Sequence, residues 1–262
     1  MKRHLNIVLA IAAAGLLAAA GAHLWADGNR TASSDGNRPV LRVVVLGDSL
    51  TGHRPHTAYQ GKYLKYADLL ELMLEARVGL GTVEVLNAGW AGDATYAKPG
   101  QGMPGAVGRL KKDVLALKPD VAVVLIGGND KLATAADRAR TQRNLDAIAG
   151  KITTAGIKLL MCQYPPSLPD PNAPQKAWDL TGANPLIAAA ARGVKAPVAD
   201  LGPSLVTAAR KHGRGSVANP VDGVHLQPRG EIVFARTIFA RLDKLGWIPR
   251  PRAAAKKEGS NE

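Results

Sequence analysis

Leu41-Arg42-Val43-Val44-Val45-Leu46 runs directly into Gly47-Asp48-Ser49-Leu50. Apart from Arg42 the first six residues are apolar with no polar alternation, the pattern of a strand buried on both faces. Gly47 lets the backbone leave the sheet there, so Ser49 is presented at the carboxyl edge of the strand. A serine alcohol is a weak nucleophile until a positioned base takes its proton, and Ser49 alone reads equally as a helix cap or turn residue.

Outward from this stretch, apolar strand-like runs recur at residues 83–86, 121–126, 157–162 and 197–201. Helical patterns fill the intervals at 63–76, 106–117, 134–154, 185–192 and 203–212, and a last one spans 229–245. Strands alternating with helices imply a parallel sheet covered on both faces, with ligands bound at the carboxyl ends of the strands. Two long loops, at 98–105 and the proline-rich 165–174, are expected to border that edge.

Length and composition fit this reading. The chain has 262 residues, enough for one α/β domain over residues 40–249, and its 46% hydrophobic and 21% charged content excludes a disordered or collagen-like chain. Lys2 and Arg3 precede an uncharged apolar run over 7–22 that ends in small residues, as in a secretory signal peptide. The run is shorter than the roughly 20 residues of a spanning helix, which favours cleavage over an uncleaved anchor. With the leader placed at residues 1–26, residues 27–39 read as a flexible linker and residues 250–262 as a polar disordered tail.

The single cysteine, Cys162, lies within an apolar run and reads as a small core residue, so no intramolecular disulfide is available. Lysine and arginine outnumber aspartate and glutamate by 34 to 21, giving a basic surface. The positive charges are scattered, without a nucleic-acid motif or interleaved aromatics. They read mainly as a solvated face, with a polyanionic glycan as the partner such a surface would attract.

The partner that Ser49 needs lies near the other end of the chain, in Asp222-Gly223-Val224-His225 before the final helix. His225 can take and return a proton while Asp222 fixes its tautomer, although Asp-x-x-His alone also suits a helix cap. Asn87-Ala88-Gly89-Trp90-Ala91-Gly92-Asp93 follows the second strand and Gly127-Gly128-Asn129-Asp130 the third. These loops offer donors for the negative oxygen of a tetrahedral intermediate: the Gly92 amide, the Asn129 side chain and the Ser49 amide itself. Gly89 competes with Gly92 for the glycine role, Trp90 reads as a packing residue, and Asp130 and Lys131 as organisers of the Asn129 loop.

Together, Gly47-Asp48-Ser49-Leu50, Gly92, Gly127-Gly128-Asn129-Asp130 and Asp222-x-x-His225 resemble, in order, the four signature blocks of SGNH or GDSL hydrolases. The resemblance spans almost the entire domain. It implies a flavodoxin-like three-layer α/β/α sandwich with a mainly five-stranded parallel sheet. It further implies a Ser49-His225-Asp222 triad, an oxyanion hole of Ser49, Gly92 and Asn129, and an activity on ester substrates that needs no cofactor. An ordinary α/β-hydrolase elbow needs glycine two residues after the serine, where Thr51 stands.

Export and the family together suggest short-acyl, acetylated saccharides, with a small-molecule or glycan ester as substrate. Three readings stay open: an ester hydrolase, an acyltransferase using the same acyl-enzyme, and a basic glycan-binding protein without activity, which the intact set of residues opposes. His53 and His56 resemble a metal pair, but the intervening Pro55 argues against a regular helix that would align them. Loop or substrate-contact roles suit them better, and no metal is expected in the mechanism. No integral span is expected after cleavage, and the mature protein should be periplasmic or extracellular. N-terminal sequencing should find it beginning just after Ala20 or Ala22; recovery of the intact chain as an integral membrane protein would establish the anchor instead.

Overall fold

The computed structural model describes residues 39–52, 54, 64–169 and 178–250. The leader and nearly all of the linker lie outside the described residues, as do His53, His56, Tyr63, the end of the proline-rich loop and the tail from Pro251.

Five strands, β1 (Leu41–Gly47), β2 (Val83–Gly89), β3 (Val121–Leu125), β4 (Lys158–Gln163) and β5 (Val198–Asp200), form one sheet in the order β2-β1-β3-β4-β5. Every pairing is parallel. Among the described residues, six α-helices accompany the sheet: α1 (Tyr66–Val78), α2 (Ala106–Asp113), α3 (Ala135–Thr154), α4 (Asn184–Gly193), α5 (Gly202–His212) and α6 (Pro228–Lys244). On one face α1 packs on β2 and α6, and α6 meets α5; on the other, α3 packs against α2 and α4. This is the three-layer α/β/α arrangement with a flavodoxin-like strand order. Its topological switch falls between β1 and β3, so a crevice opens outside their carboxyl ends.

Burial explains the strand patterns. All residues of β1 and of β3 are buried, as a sheet covered on both faces requires. Arg42, within β1, is accommodated because its Nε donates to Glu84 at 2.6 Å and its Nη1 to the Leu117 carbonyl at 2.9 Å. The helices bury stripes at i, i+4 spacing: Tyr66, Leu70, Leu74 and Val78 on α1, and Phe234, Ile238 and Leu242 on α6. Where α1 meets α6, the Tyr66 and Phe234 rings lie 5.6 Å apart. Local chemistry sets helix starts, with Thr134 and Asp137 forming a capping box on α3 and Pro228 opening α6. Among the described residues, no helix is long and apolar enough to cross a membrane.

Two of the boundaries that differ from the sequence reading have a cause in nearby contacts. β2 continues through Asn87 to Gly89, because these residues pair with Val45 to Gly47 of β1 and the Asn87 side chain is used locally, donating to the Thr51 carbonyl and accepting from the Gly89 amide. The helix expected over 106–117 ends at Asp113, whose carboxylate accepts from Arg54 and Arg109. A separate 3-10 turn at Leu115–Leu117 then delivers its last carbonyl to Arg42.

Arg109 of α2 fixes the edge where the crevice opens. Nη2 donates to the Gly47 carbonyl at 2.9 Å, Nη1 to the Ala88 carbonyl at 2.5 Å, and Nε to the Asp93 carboxylate at 2.7 Å. Both ionic groups are buried, and Asp93 also accepts from the Gly105 amide at 2.9 Å. Removing Arg109 leaves the buried Asp93 carboxylate charged and without this cationic partner. Arg109→Met should therefore destabilise the protein by roughly 3–5 kcal/mol, read from denaturant unfolding. Adding Asp93→Asn should recover a substantial part of the loss, and a single-variant loss below about 1 kcal/mol would show that the pair behaves like a surface bridge.

Candidate active site

Ser49 follows β1 by two residues, in a turn that Asp48 holds. The Asp48 carbonyl accepts from the Thr51 and Gly52 amides at 3.1 and 2.9 Å, and its carboxylate accepts from the Leu50 amide at 3.0 Å and from Tyr164 Oη at 2.6 Å. Asp48 is fully buried, and burial pushes its carboxyl above the usual range despite the Tyr164 hydrogen bond. Behind the turn, Thr51 Oγ1 and Tyr66 Oη share a 2.7 Å hydrogen bond.

The Asp222 to His225 loop reaches the same place from the far end of the chain. His225 Nε2 lies 3.0 Å from Ser49 Oγ, and His225 Nδ1 lies 3.0 Å from Asp222 Oδ2. With Nδ1–H donating to the carboxylate, Nε2 presents its lone pair to the serine hydroxyl. The other Asp222 oxygen accepts from the Val224 and His225 amides at 2.8 and 2.9 Å. Partial burial opposes ionisation of Asp222, but these amides and the imidazole outweigh it and hold the carboxyl below its usual range. The loop is pinned on both sides: the Asn219 amide donates to the His225 carbonyl, and the Leu168 amide to the Gly223 carbonyl, each at 2.7 Å.

Asn129 approaches from β3. Its Nδ2 donates to the Asp93 carbonyl at 3.0 Å and lies 3.3 Å from Asp48 Oδ2. An amide nitrogen carries two protons, so the longer of these contacts is the one that a better acceptor would displace. Asp130 organises this loop from beneath, accepting from the Thr95 amide at 2.8 Å, from Thr141 Oγ1 at 2.8 Å and from Thr95 Oγ1. Lys131 contributes its amide, 3.4 Å from Tyr96 Oη, while Lys98 Nζ donates to the Asn129 carbonyl at 2.9 Å.

The two glycines of the second loop are distinguished by their surroundings. The Gly89 amide is committed to Asn87 Oδ1, and a Cβ at Gly89 would stand 2.2 Å from the Gly52 nitrogen, so this glycine serves close packing of β2 on the serine turn. Gly92 has φ +73°, a left-handed conformation that favours glycine. Its neighbours' amides are engaged, Ala91 with the Arg54 carbonyl and Asp93 with the Trp90 carbonyl. Among the described residues, the Gly92 and Ser49 amides have no acceptor. Trp90 is half-buried beneath Arg54, whose guanidinium carbon lies 5.6 Å from the ring centroid.

Cys162 is buried in the sheet, and burial pushes its thiol up to about 12, which suits a core residue and not a nucleophile. Among the described residues, no group of three or more histidines, cysteines and carboxylates is arranged to hold a metal ion.

Three side chains at the site escaped the sequence reading. Arg109 sits within a helical pattern and Tyr164 at the end of a strand, so neither carries a local signal. Trp178 does: it is a large aromatic in the polar stretch Gln175-Lys176-Ala177-Trp178-Asp179, outside any apolar period. Its ring centroid lies 5.9 Å from that of His225, with the planes at 70°.

The fold is shared with a lipase/acylhydrolase from Enterococcus faecalis, at 22% identity and a TM-score of 0.60 over 81% of this chain and 100% of that one. An acetyl xylan esterase aligns at 22% identity and a TM-score of 0.59, covering 77% of this chain and 100% of its own. An acetylxylan esterase from Geobacillus stearothermophilus aligns at 18% identity and 0.59, over 80% of this chain and 97% of that one. No curated protein matches. Residues 45–231, which carry the serine turn, both glycine-rich loops and the histidine loop, match a family model spanning most of the chain, and the protein thereby belongs to the GDSL-like lipase/acylhydrolase family of carboxylic ester hydrolases.

Proposed function

We propose that the protein is an exported esterase that removes acetyl or other short acyl groups from a saccharide through an acyl-enzyme on Ser49. The observation that carries the reading is the continuous hydrogen-bonded line from Ser49 Oγ to His225 Nε2 and from His225 Nδ1 to Asp222 Oδ2, each link 3.0 Å. Ser49 Oγ attacks the acyl carbon while His225 Nε2 takes its proton, and Asp222 stabilises the imidazolium. The carbonyl oxygen becomes an oxyanion, received by the amides of Ser49 and Gly92 and by Asn129 Nδ2. His225 then returns the proton to the departing alcohol oxygen, and the acyl-serine is hydrolysed by a water that His225 activates in turn.

Two considerations support the substrate class. Acetylxylan esterases are among the proteins that share the fold. The two long loops of the sequence, at 98–105 and 165–174, are rich in glycine and proline and hold few large apolar residues to cover a lipid chain. The apolar leader supports export, and a small-molecule or glycan ester is the partner.

Asn129 provides the test. Wild-type protein should release free acetate from acetylated xylooligosaccharides without an added sugar acceptor; release that depends on the acceptor would establish a transferase. Asn129→Ala should lower kcat by about 10² to 10³ with little change in KM, because its amide matters most when charge develops on the acyl oxygen. Asn129→Asp should do no better, since it replaces a donor with a repelling charge. Near-normal kcat in both folded variants would return residues 127–130 to a structural-turn role.

A further inference from the structure

Trp178 is 56% exposed and stands against the imidazole of His225. A mostly solvent-exposed indole forgoes much of the free energy that its burial would supply, and its position beside the reacting groups gives that surface a use.

The direction of the reaction says which part of a substrate would meet it. The acyl oxygen must lie towards Asn129 and Gly92, where the donors are. The alcohol oxygen must lie towards His225 Nε2, because that nitrogen returns the proton to the leaving group. A side chain in ring contact with His225 therefore stands beside the group that serves the alcohol half of the ester.

The indole is also held on a fixed base. Asp179 accepts from the Thr181 amide at 2.9 Å and from Thr181 Oγ1 at 2.6 Å, closing the turn that follows Trp178. Leu180, two residues on, is buried, and a Cβ at Gly128 would meet Leu180 Cβ at 3.1 Å. The backbone that follows Trp178 is thus anchored against the loop that carries Asn129.

We propose that Trp178 is the binding platform for the alcohol portion of the substrate, and that this portion is a saccharide ring lying with its apolar C–H face on the indole. A pyranose suits such a surface because it has a flat apolar face and hydroxyls that the indole N–H can meet at the rim. The inference rests on the catalytic roles given above to Ser49 and His225, and it assigns the recognition of sugar to a residue outside them.

The experiment compares wild type, Trp178→Ala and Trp178→Phe on acetylated xylooligosaccharides, ethyl acetate and ethyl butyrate. The first two substrates share an acyl group and differ in alcohol; the last two share an alcohol and differ in acyl group. Trp178→Ala should raise KM for the sugar ester on the order of tenfold with kcat much less affected, leave ethyl acetate and ethyl butyrate nearly unchanged, and be rescued largely by Trp178→Phe. Equal losses on the sugar ester and ethyl acetate would show that Trp178 only shields or orients His225. A loss that grows from ethyl acetate to ethyl butyrate would place the acyl chain on the indole. Either result, or an unchanged KM for the sugar ester in Trp178→Ala, overturns the inference while leaving the catalytic reading intact. Wild-type protein that hydrolyses none of the three esters overturns the catalytic reading and the inference together.

Discussion

The guanidinium of Arg109 lies where the carboxyl ends of β1 and β2 come together, and donates to the Gly47 and Ala88 carbonyls and to the Asp93 carboxylate. The Gly47 carbonyl also accepts from the Trp90 amide at 3.0 Å, and a planar group with five donors reaches both carbonyls and the carboxylate from one side. Two of these contacts adjoin the candidate site: Gly47 stands two residues before Ser49, and Asp93 directly after Gly92. The Asp93 carbonyl, in turn, accepts from Asn129. Segments leaving three different strands are therefore referenced to one buried cation, which costs little only because Asp93 and Asp113 pair with it.

The histidine loop has its own connection to this frame. Glu231 in the first turn of α6 accepts from Lys65 Nζ at 2.5 Å and from the Tyr66 amide at 2.8 Å, joining α6 to the start of α1. Burial pushes the Glu231 carboxyl up, and Lys65 opposes that shift. Tyr66 Oη then meets Thr51 Oγ1, two residues beyond Ser49. The separation of Ser49 from His225 is thus set through α1 as well as through the sheet. A 3.0 Å contact between residues so distant in sequence needs such closure on both sides.

Much of the fold was legible because its signals are local. β3 and, Arg42 apart, β1 are apolar throughout, since both sheet faces are covered, and α1 and α6 show their stripes directly. The end of α2 was not legible, because the Asp113 partner Arg54 and the Leu117 partner Arg42 lie far away in sequence. The extension of β2 was hidden for the same reason, its polar Asn87 being absorbed by the serine turn. At the site, the glycine-rich loops and Asp-x-x-His could be read as residue types, while their convergence is a tertiary fact. The different surroundings of Gly89 and Gly92 turn on the close approach of Gly89 to Gly52, which no spacing encodes. Trp178 alone among the unanticipated residues carried a local sign, an aromatic stranded in polar sequence.

A serine-directed phosphonate tests the proposed activation of Ser49 by His225 most directly, because it needs no knowledge of the natural substrate. Peptide mass spectrometry of the treated protein should place a single stoichiometric adduct on Ser49, and His225→Ala should slow its formation by orders of magnitude in a chain that remains folded. Labelling at another residue, or undiminished labelling of Ser49 in folded His225→Ala, would contradict it.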